Sequence, residues 1–433
     1  MPEAEVTVVE RGPYTSYSMC GIPYYIGGLI GDAEDLVVRT PEEFRAAGIT
    51  VHMRTEAVAI DADARTVRVR DLGADERPQR DLPYDALLWA AGAHPDVPDL
   101  PGLRRHGHVV HTLDEAVHLR AHLESSTQVE RVVVVGSGYV GLEIAEALVQ
   151  RGMRATIIDR SPQVMKTIDA DLARPLQDQL EARGIAVRLG ESVLEVHDAD
   201  GDCREVITDR GRHAADTIVL AMGHRPNVDV PAGAGCAVGP TGALVVDPQM
   251  RTTVDGIWAA GDCVESTDLV AGQRVNVQLG THANKQGKVA GIVVAGGDAA
   301  FPGVVGTAVT KLCDWEVART GLTIAEADQL GLDYAAVTFT SSAKAGYLPD
   351  AGTVHVRMLA ERGTGRVLGA QLVGSGPIAK HIDVAAVWCQ LGVAVQQAQL
   401  LDLSYAPPFG GVWDLLQVAA RKLTKELGLH PQI

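Results

Sequence analysis

The segment at residues 131–160, RVVVVGSGYVGLEIAEALVQRGMRATIIDR, restricts the possible fold more than any other part of this sequence. A run of β-branched residues ends at Gly136. Gly138 and Gly141 follow, before a helical stretch and a second strand that ends at Asp159. In a strand–turn–helix, glycines at this spacing permit a tight turn, the approach of a pyrophosphate to the helix N-terminus, and close packing of helix on strand. The segment therefore predicts a Rossmann-like dinucleotide-binding unit rather than a glycine-rich turn without a ligand.

The identity of the nucleotide depends on the end of the second strand. Asp159 can accept hydrogen bonds from the ribose hydroxyls of an adenosine, which favours NADH over NADPH. Arg160 and Lys166 follow closely, and either could meet a 2′-phosphate or be a solvated surface charge. We therefore expect NAD(P)H as the cofactor, with NADH favoured.

The beginning of the chain has the same pattern as the closing strand of that unit. EVTVVER, residues 5–11, is a β-branched strand that ends in an acid, Glu10. If Glu10 accepts hydrogen bonds from the ribose of a second dinucleotide, the glycines of that unit would precede Met1 at the same spacing. The expectation is that the sequence starts inside a βαβ unit, after its phosphate loop. The alternative is an ordinary edge strand.

Three further segments strengthen the prediction of two nucleotide units. Residues 87–102 have the pattern of a buried strand followed by a small-residue turn, and residues 217–227 repeat this design. Residues 252–265 have the pattern of a strand that leads to Gly261 and Asp262 and, later, to a helix. An acid at such a junction suits the ribityl chain or the phosphate surroundings of a flavin, whereas alone it could be a helix N-cap.

From about residue 301 the sequence changes character. The segments AVTKLCDWEVARTGLT, DYAAVTFTSS and GTVHVRMLAERGTGRVLGAQLVG alternate in the manner of antiparallel strands, with RGTG as a hairpin turn. Helical segments follow, among them IAKHIDVAAVWCQLG and GVWDLLQVAARKLTKELG. This α+β module has no nucleotide signature, and we expect it to associate subunits.

Composition and net charge argue against some classes of partner and indicate where the protein is located. The chain has 433 residues and a formal net charge of −17, which argues against nucleic acid or an anionic membrane surface as the main partner. No uninterrupted apolar run approaches the roughly 18–20 residues of a membrane helix. The N-terminal MPEAEVTVVER has no basic or apolar targeting region, so we expect a cytoplasmic protein.

The six cysteines are neither paired as C-x-x-C nor clustered with histidines at zinc spacing. We therefore expect neither a metal site nor a disulfide framework. Five of them are expected to be small buried residues: Cys203, Cys236, Cys263, Cys313 and Cys389. Cys20 differs, because it lies among small and hydroxyl-bearing residues in TSYSMCGIPYYIGG.

The order of these motifs resembles that of the pyridine nucleotide–disulfide oxidoreductases, in particular the single-cysteine branch of coenzyme A-disulfide reductases, persulfide reductases, NADH oxidases and NADH peroxidases. The resemblance covers essentially the whole chain and rests on SYSMCGIPYYIGG, VVVVGSGYVGLE, GHRPN and WAAGDCVE. It implies an α/β fold with two Rossmann-like domains, in which an NAD(P)H domain interrupts an FAD domain, followed by an α+β dimerisation domain. The implied boundaries are 1–108 and 229–300 for the FAD domain, 109–228 for the NAD(P)H domain, and 301–433 for the dimerisation domain.

The resemblance also implies which residues bind. Those implied for FAD are Glu10 and Arg11 at the adenosine end, Ala57 at the adenine, Ser16 near the isoalloxazine, Asp262 near the ribityl-phosphate, and Ala91, Gly92 and Gly261. Those implied for NAD(P)H are Gly136, Gly138, Tyr139, Val140, Gly141, Asp159 and Gly223. Those implied for the substrate are Cys20 as the catalytic residue, with Ser16, Met19, Tyr347, Tyr405 and Phe409 around it.

The resemblance extends to one C-terminal segment that lies near the cysteine of the partner subunit in the family. Residues 402–414, DLSYAPPFGGVWD, resemble the segment that reaches the cysteine of the partner subunit in the family's homodimers. Phe409 stands where the reductases often have a tyrosine, and Met19 where they often have an asparagine. Tyr347 and Tyr405 are candidate hydroxyl donors or, equally, buried packing residues.

The larger superfamily uses C-x-x-x-x-C, but Tyr25 stands at the position of the second cysteine here. One sulfur would therefore cycle between a thiolate and a mixed disulfide or sulfenic acid. A helix N-terminus and charge transfer with the oxidised flavin would favour the thiolate, although GIPYYIGG lacks the pattern of a strong helix. The alternative is a buried, unreactive cysteine.

Two chemistries remain open for Cys20. In a reductase its thiolate attacks a coenzyme A disulfide or a persulfide and releases a thiol. In an oxidase or peroxidase a sulfenate is reduced, and oxygen or peroxide is the acceptor. A hypothesis of another class is a flavin-free protein that binds NAD(H) or a partner, and a further one is a redox sensor whose dimer responds to oxidation of Cys20. The leading prediction is the reductase, a homodimeric NAD(P)H-dependent flavoprotein.

Overall fold

The fold is taken from a computed structural model, which describes residues 4–125, 129–198 and 204–431. The first part of the chain combines short paired strands with an antiparallel meander. Its elements are β1 Val6–Val9, β2 Ser16–Tyr17, α1 Ile22–Gly27, β3 Val37–Arg39, α2 Pro41–Ala46, β4 Ile49–His52, β5 Thr55–Asp61, β6 Thr66–Asp71, β7 Gln79–Pro83, β8 Leu87–Trp89 and β9 Ala93–Pro95. Strand β1 runs parallel to β4, and β5, β6 and β7 form the meander.

The second part is a five-stranded parallel sheet with helices on its faces. Its elements are α3 Leu103–His106, β10 Gly107–Val109, α4 Leu113–Ser125, β11 Arg131–Val135, α5 Tyr139–Gln150, β12 Arg154–Asp159, α6 Ala170–Ala182, β13 Ala186–Leu189, β14 Val193–Asp198, β15 Arg204–Thr208, β16 Arg212–Ala215 and β17 Thr217–Leu220. The sheet order is β10-β17-β11-β12-β13, and β14, β15 and β16 form a separate antiparallel sheet. Val132–Val135 are buried, as a central parallel strand requires, and the Rossmann-like prediction is confirmed.

The chain then returns to the first part, so the parallel sheet is an insertion. The returning elements are β18 His224–Pro226, α7 Asp229–Gly233, β19 Ile257–Ala259, β20 Ser266–Thr267, β21 Arg274–Val275 and α8 Gly280–Val294. Strand β18 pairs with β9, and β19 runs parallel to β8. These pairings join the segments before and after the insertion into one module.

The C-terminal part is an antiparallel sheet covered by helices. Its elements are β22 Ala308–Leu312, β23 Trp315–Gly321, α9 Ile324–Gln329, β24 Tyr334–Ser341, β25 Val354–Glu361, β26 Val367–Ser375, α10 Ile382–Leu391, α11 Val395–Ala398 and α12 Leu415–Glu426. The strand order is β22-β23-β26-β25-β24. The predicted α+β module and its hairpin between β25 and β26 are therefore present.

The cysteines follow the prediction in part. Cys236, Cys263 and Cys389 are buried free thiols, whereas Cys203 lies outside the described residues. Cys313 departs from the prediction, because it is only half-buried in the turn between β22 and β23, where its φ is 55°. Among the described residues, no helix is both long and apolar enough to cross a membrane.

Candidate active site

Cys20 is exposed and lies in the 3-10 turn Met19–Gly21, directly before α1. The sequence pattern did not indicate a strong helix after Cys20, and the structure corrects this expectation. Pro23 stands in the first turn, where its missing N–H is not needed, and Gly28 ends the helix at a φ of 85°. The helix is short but apolar on one face, so packing stabilises it more than intrinsic propensity does.

Helix α1 packs along α5, the helix that follows the dinucleotide loop. Gly27 contacts Ala147 near the C-terminal ends of both helices. Burial raises the pKa of Tyr24 in α1, with smaller contributions from the charges of Glu143 and Glu146 on α5. Cys20 therefore directly precedes a helix that packs on the helix of the dinucleotide-binding unit.

The other end of α1 is held by two arginines from the inserted part. Arg120 donates hydrogen bonds to the carbonyls of Tyr25 and Ile30, at 3.1 and 2.9 Å. Arg151 donates to the carbonyl of Ile26 at 3.1 Å. Cations at a helix C-terminus satisfy its last carbonyls and oppose its negative dipole end. Neither arginine was identified from the sequence, because its partners lie far away along the chain.

The glycine loop has the geometry that its spacing predicts. Gly136 adopts a φ of 113°, and a Cβ there would clash with the carbonyl oxygen of Ala221. A Cβ at Gly141 would clash with the carbonyl oxygen of Gly136, so this glycine permits the close approach of helix and loop. Gly138 is the N-cap of α5 and faces open space, where a pyrophosphate would need room.

Asp159, the predicted ribose acceptor, ends β12 beside this loop. Its carboxylate accepts hydrogen bonds from the backbone N–H and the hydroxyl of Ser137, at 2.7 and 2.6 Å. It also accepts from the N–H and the hydroxyl of Ser161, at 2.8 and 2.7 Å. Burial disfavours the charged carboxylate, but these bonds outweigh it and lower the pKa of Asp159. A ribose diol must therefore displace serine hydroxyls to bind.

The remaining nucleotide candidates lie near the same edge of the parallel sheet. Tyr139 and Val140 begin α5, and the Tyr139 phenol contacts the Thr167 hydroxyl at 3.2 Å. Burial raises the pKa of Tyr139, so the phenol stays neutral. Gly223 is exposed between β17 and β18. Thr167 was missed by sequence reasoning, since no local pattern links it to the loop.

The FAD candidates lie at the ends of parallel strands, where open α/β folds bind ligands. Because β8 and β19 are parallel and in register, Ala91 and Gly92 lie beside Gly261 and Asp262. Asp262 is half-buried, and burial raises its pKa. In the described part of the chain its carboxylate has no hydrogen-bond donor. Asp262 is not a helix N-cap, because α8 begins only at Gly280.

The adenosine-end candidates lie around β1. Glu10 directly follows this strand and is half-buried, with one carboxylate oxygen accepting from the N–H of Gly12 at 2.6 Å. Arg11 and Ser16 are exposed, and Ala57 is half-buried in β5. Two acids that can accept from hydroxyls, Glu10 at one end and Asp262 at the other, fit the ribose and ribityl groups of FAD. The residues present therefore suit this cofactor.

The predicted substrate residues fall into two groups. Met19 and Ser16 are exposed near Cys20 in sequence. Tyr347, Tyr405 and Phe409 lie on the C-terminal part of the chain. Both tyrosines are exposed in the single chain, at 74% and 47%. Within the described chain, no hydrogen bond or ring contact joins this second group to Cys20.

Comparison with protein families decides the identity of the fold. Residues 2–287 match the family described as pyridine nucleotide-disulphide oxidoreductase, and residues 307–415 match its dimerisation domain. The chain belongs to this family. As a pyridine nucleotide-disulphide oxidoreductase it is an enzyme that uses FAD and NAD(P)H.

Curated members of the family resemble this oxidoreductase along nearly their full length. A NAD(P)H sulfur oxidoreductase (CoA-dependent) from Pyrococcus abyssi is 37% identical, covering 98% of this chain and 93% of the relative. An NADH oxidase from Methanocaldococcus jannaschii is 31% identical, covering 98% and 94%. A coenzyme A disulfide reductase from Staphylococcus aureus is 29% identical, covering 97% and 94%. The named activities of these relatives thus differ in the electron acceptor.

A solved structure of a related enzyme has the same fold. A NAD-dependent persulfide reductase from A. fulgidus superimposes with a TM-score of 0.93 and is 36% identical. The match covers 99% of this chain and 79% of that one. The fold predicted from the motif order is therefore confirmed.

Gly138→Ala is expected to weaken NAD(P)H binding by roughly 10²-fold, because the added methyl group lies where the pyrophosphate approaches. The free energy of unfolding should change by less than about 1 kcal/mol, since Gly138 has open space around it and a negative φ. Titration of the protein with NADH and urea unfolding measure the two effects. Gly136→Ala is the contrasting variant, and it should destabilise the fold. Equal destabilisation by both substitutions would contradict the assignment of Gly138.

Proposed function

We propose that this oxidoreductase transfers electrons from NAD(P)H, with NADH favoured, through FAD to Cys20 and on to a disulfide or persulfide substrate such as coenzyme A disulfide. The observation that carries the proposal is the position of Cys20. The cysteine is exposed directly before α1, and α1 packs against α5, the helix that follows the dinucleotide loop. The activities named for the related sulfur oxidoreductase, persulfide reductase and disulfide reductase support a sulfur acceptor.

Cys20 acts as the single redox sulfur in this proposal. Its thiolate attacks one sulfur of the substrate's S–S bond. A mixed disulfide forms, and the other half leaves as a thiolate, or as hydrosulfide from a persulfide. When bound, FAD would supply the two electrons that NAD(P)H delivers as a hydride. These electrons and one proton cleave the mixed disulfide into the Cys20 thiolate and the second thiol.

The other site residues are proposed in supporting roles. Gly136, Gly138, Gly141, Tyr139, Val140, Asp159 and Gly223 would hold NAD(P)H, and Glu10, Arg11, Ser16, Ala57, Ala91, Gly92, Gly261 and Asp262 would hold FAD. Met19, Tyr347, Tyr405 and Phe409 would line the substrate site. We also propose a homodimer in the cytoplasm. The dimerisation domain supports the dimer, and so do exposed apolar side chains of the C-terminal part, namely Val387, Leu391, Leu400, Leu401, Phe409, Val412 and Trp413.

A second candidate is an NADH oxidase or peroxidase, in which Cys20 alternates with its sulfenic acid. The NADH oxidases among the relatives favour it, as does the exposure of Cys20, which allows a small oxidant to reach the sulfur. In this case peroxide oxidises the thiolate to a sulfenate, and two electrons and protons return the thiolate and water.

Parallel assays distinguish the two candidates. NADH consumption is measured without oxygen in the presence of coenzyme A disulfide or coenzyme A persulfide, and separately with oxygen or peroxide alone. We expect the sulfur substrates to be reduced with a kcat/KM at least about tenfold above that for oxygen or peroxide. Two equivalents of thiol per NADH should appear with coenzyme A disulfide. Turnover by oxygen or peroxide alone would instead establish the second candidate.

A further inference from the structure

The loop between β12 and α6, residues 160–169, contacts the dinucleotide loop and the start of α5. The N–H of Met165 donates to the backbone carbonyl of Ser137 at 2.9 Å, directly after the first glycine. The hydroxyl of Thr167 donates to the phenol oxygen of Tyr139, the first residue of α5, at 3.2 Å. The β12–α6 loop therefore contacts both the backbone and a side chain of the proposed nucleotide site.

The C-terminal sheet contacts this loop from β23 and β26. Nη1 of Arg319 in β23 donates to the backbone carbonyl of Thr167 at 2.9 Å. Nη2 of the same guanidinium is 3.2 Å from the carboxylate of Glu326 in α9, which fixes its orientation. The side-chain amide oxygen of Gln371 in β26 accepts from the N–H of Asp169 at 2.8 Å. The position of Thr167 is therefore set from outside the nucleotide-binding part.

The burial of these groups strengthens the contacts. The Arg319 side chain is 11% exposed, so its bond to the Thr167 carbonyl is largely protected from competing water. The Tyr139 ring packs against the buried cluster around α5 that includes Leu142. Among the described residues, Thr167 is the only hydrogen-bond partner of the Tyr139 phenol. A single hydroxyl thus satisfies the one polar group of this ring.

We propose that Thr167 and Arg319 are positioning residues for NAD(P)H: the Thr167 hydroxyl holds the Tyr139 ring against the protein beside the dinucleotide loop, and Arg319 holds Thr167 in place. The dimerisation domain thereby contributes to nucleotide affinity, although it has no nucleotide signature of its own. This inference rests on the proposed function in one respect, because that function assigns Tyr139 and the glycine loop to NAD(P)H. It does not depend on which acceptor Cys20 reduces.

The polarity of the phenol explains why the hydroxyl matters. A buried phenol without a hydrogen-bond partner is unfavourable, so a ring that loses Thr167 turns toward water. The open space next to Tyr139 lies at Gly138, where the pyrophosphate of NAD(P)H would bind. The nucleotide must then displace the ring and order it again, which lowers its affinity. Once the nucleotide is bound its geometry is the same, so kcat should change little.

The test measures KM for NADH and kcat of the holoenzyme with ferricyanide as the acceptor, which does not need the Cys20 sulfur. Thr167→Val removes the hydroxyl but keeps the branched shape, and KM should rise about three- to tenfold, the effect of one lost hydrogen bond. The kcat should stay within about twofold of the wild type. Thr167→Ser keeps the hydroxyl and should keep the wild-type KM.

The matched control is Thr307→Val. The hydroxyl of Thr307 is 2.8 Å from the hydroxyl of Thr320, so this substitution removes a similar bond in a part of the chain without a proposed nucleotide residue. Its KM for NADH should equal that of the wild type.

Arg319→Lys tests the contribution of the C-terminal sheet. Lysine keeps the charge, but one ammonium group cannot replace the guanidinium fork that reaches both Thr167 and Glu326. This substitution should raise KM for NADH, by less than Thr167→Val does. It should have no further effect in Thr167→Val, because no hydroxyl is left to position.

The combination of Thr167→Val with Tyr139→Phe tests whether the two groups act through one bond. Each substitution removes one partner, so the double variant should have the KM of the more affected single variant. An unchanged KM in Thr167→Val, or multiplied effects in the double variant, would overturn the role of Thr167. The same increase by Arg319→Lys with and without the Thr167 hydroxyl would overturn the role of Arg319.

Gly138→Ala separates this inference from the proposed function. If Gly138→Ala raises KM for NADH and Thr167→Val does not, the proposed nucleotide site stands and the positioning role fails. If neither substitution changes KM, the assignment of the glycine loop to NAD(P)H fails as well. If both raise KM but no thiol acceptor is reduced, the positioning role stands and only the proposed acceptor is wrong.

Discussion

Cys20→Ser is expected to lower the rate of coenzyme A disulfide reduction by at least about 10³-fold, because a serine hydroxyl is a far weaker nucleophile than a thiolate and cannot form a mixed disulfide. Transfer of electrons from NAD(P)H to ferricyanide should continue at close to the wild-type rate, since that acceptor does not need the sulfur. The measurement is thiol release alongside NAD(P)H consumption, with each acceptor in turn. The loss of activity should therefore be confined to the step that takes place at the Cys20 sulfur.

The matched control for this substitution is Cys313→Ser. Cys313 is the other described cysteine that is not buried, but it lies in the β22–β23 turn rather than directly before α1. Burial raises the pKa of the Cys313 thiol, so less of it is thiolate at neutral pH. Its replacement should leave both activities unchanged. Wild-type thiol release by Cys20→Ser, or its loss in Cys313→Ser, would contradict the assignment of the redox sulfur.

Features fixed by local stereochemistry were predictable from the sequence. The roles of Gly136 and Gly141 follow from a tight turn and a close helix–strand approach, both of which involve residues within one short segment. The antiparallel C-terminal sheet was predictable for a similar reason. Short turns join β22 to β23 and β25 to β26 as antiparallel hairpins, whereas the pairing of β23 with β26 joins strands that are not neighbours in the sequence.

Features fixed by distant contacts were not predictable. The helix α1 has little intrinsic propensity and forms because α5, more than a hundred positions later, buries its apolar face. The hydrogen bonds of Asp159 were not predictable either, since nothing in strand β12 shows that Ser137 donates two hydrogen bonds to this carboxylate. Thr167 and Arg319 are likewise 152 positions apart, and a single sequence contains no sign that they meet.

Arg357→Met is expected to lower the free energy of unfolding by about 3–5 kcal/mol, the usual cost of removing one partner of a buried ion pair. Arg357 lies in β25 with its side chain 6% exposed, 2.9 Å from the equally buried Asp169. It also donates to Asp171 at 2.8 Å. Methionine retains the length of the side chain but leaves the Asp169 carboxylate buried without its cation. Urea unfolding of the holoenzyme measures the loss.

The pKa of Arg357 indicates how strongly the site favours the charge. Burial disfavours the guanidinium, but the bonds to Asp171 and Asp169 outweigh it and raise the pKa. Asp169 precedes α6 of the nucleotide-binding part and also accepts from Gln371 of β26 at 2.6 Å. The ion pair therefore links this part to the dimerisation domain, so its loss should affect unfolding of both.

The matched control is Arg362→Met, which removes an exposed pair with Asp333 in the same sheet. Such surface pairs contribute about 0–1 kcal/mol, so this variant should unfold close to the wild type. The double variant Arg357→Met with Asp169→Asn removes both buried charges and should recover much of the lost stability. Equal destabilisation by Arg357→Met and Arg362→Met would show that burial does not determine the energy of this pair. Failure of the double variant to recover would assign the loss to packing of the Arg357 side chain instead.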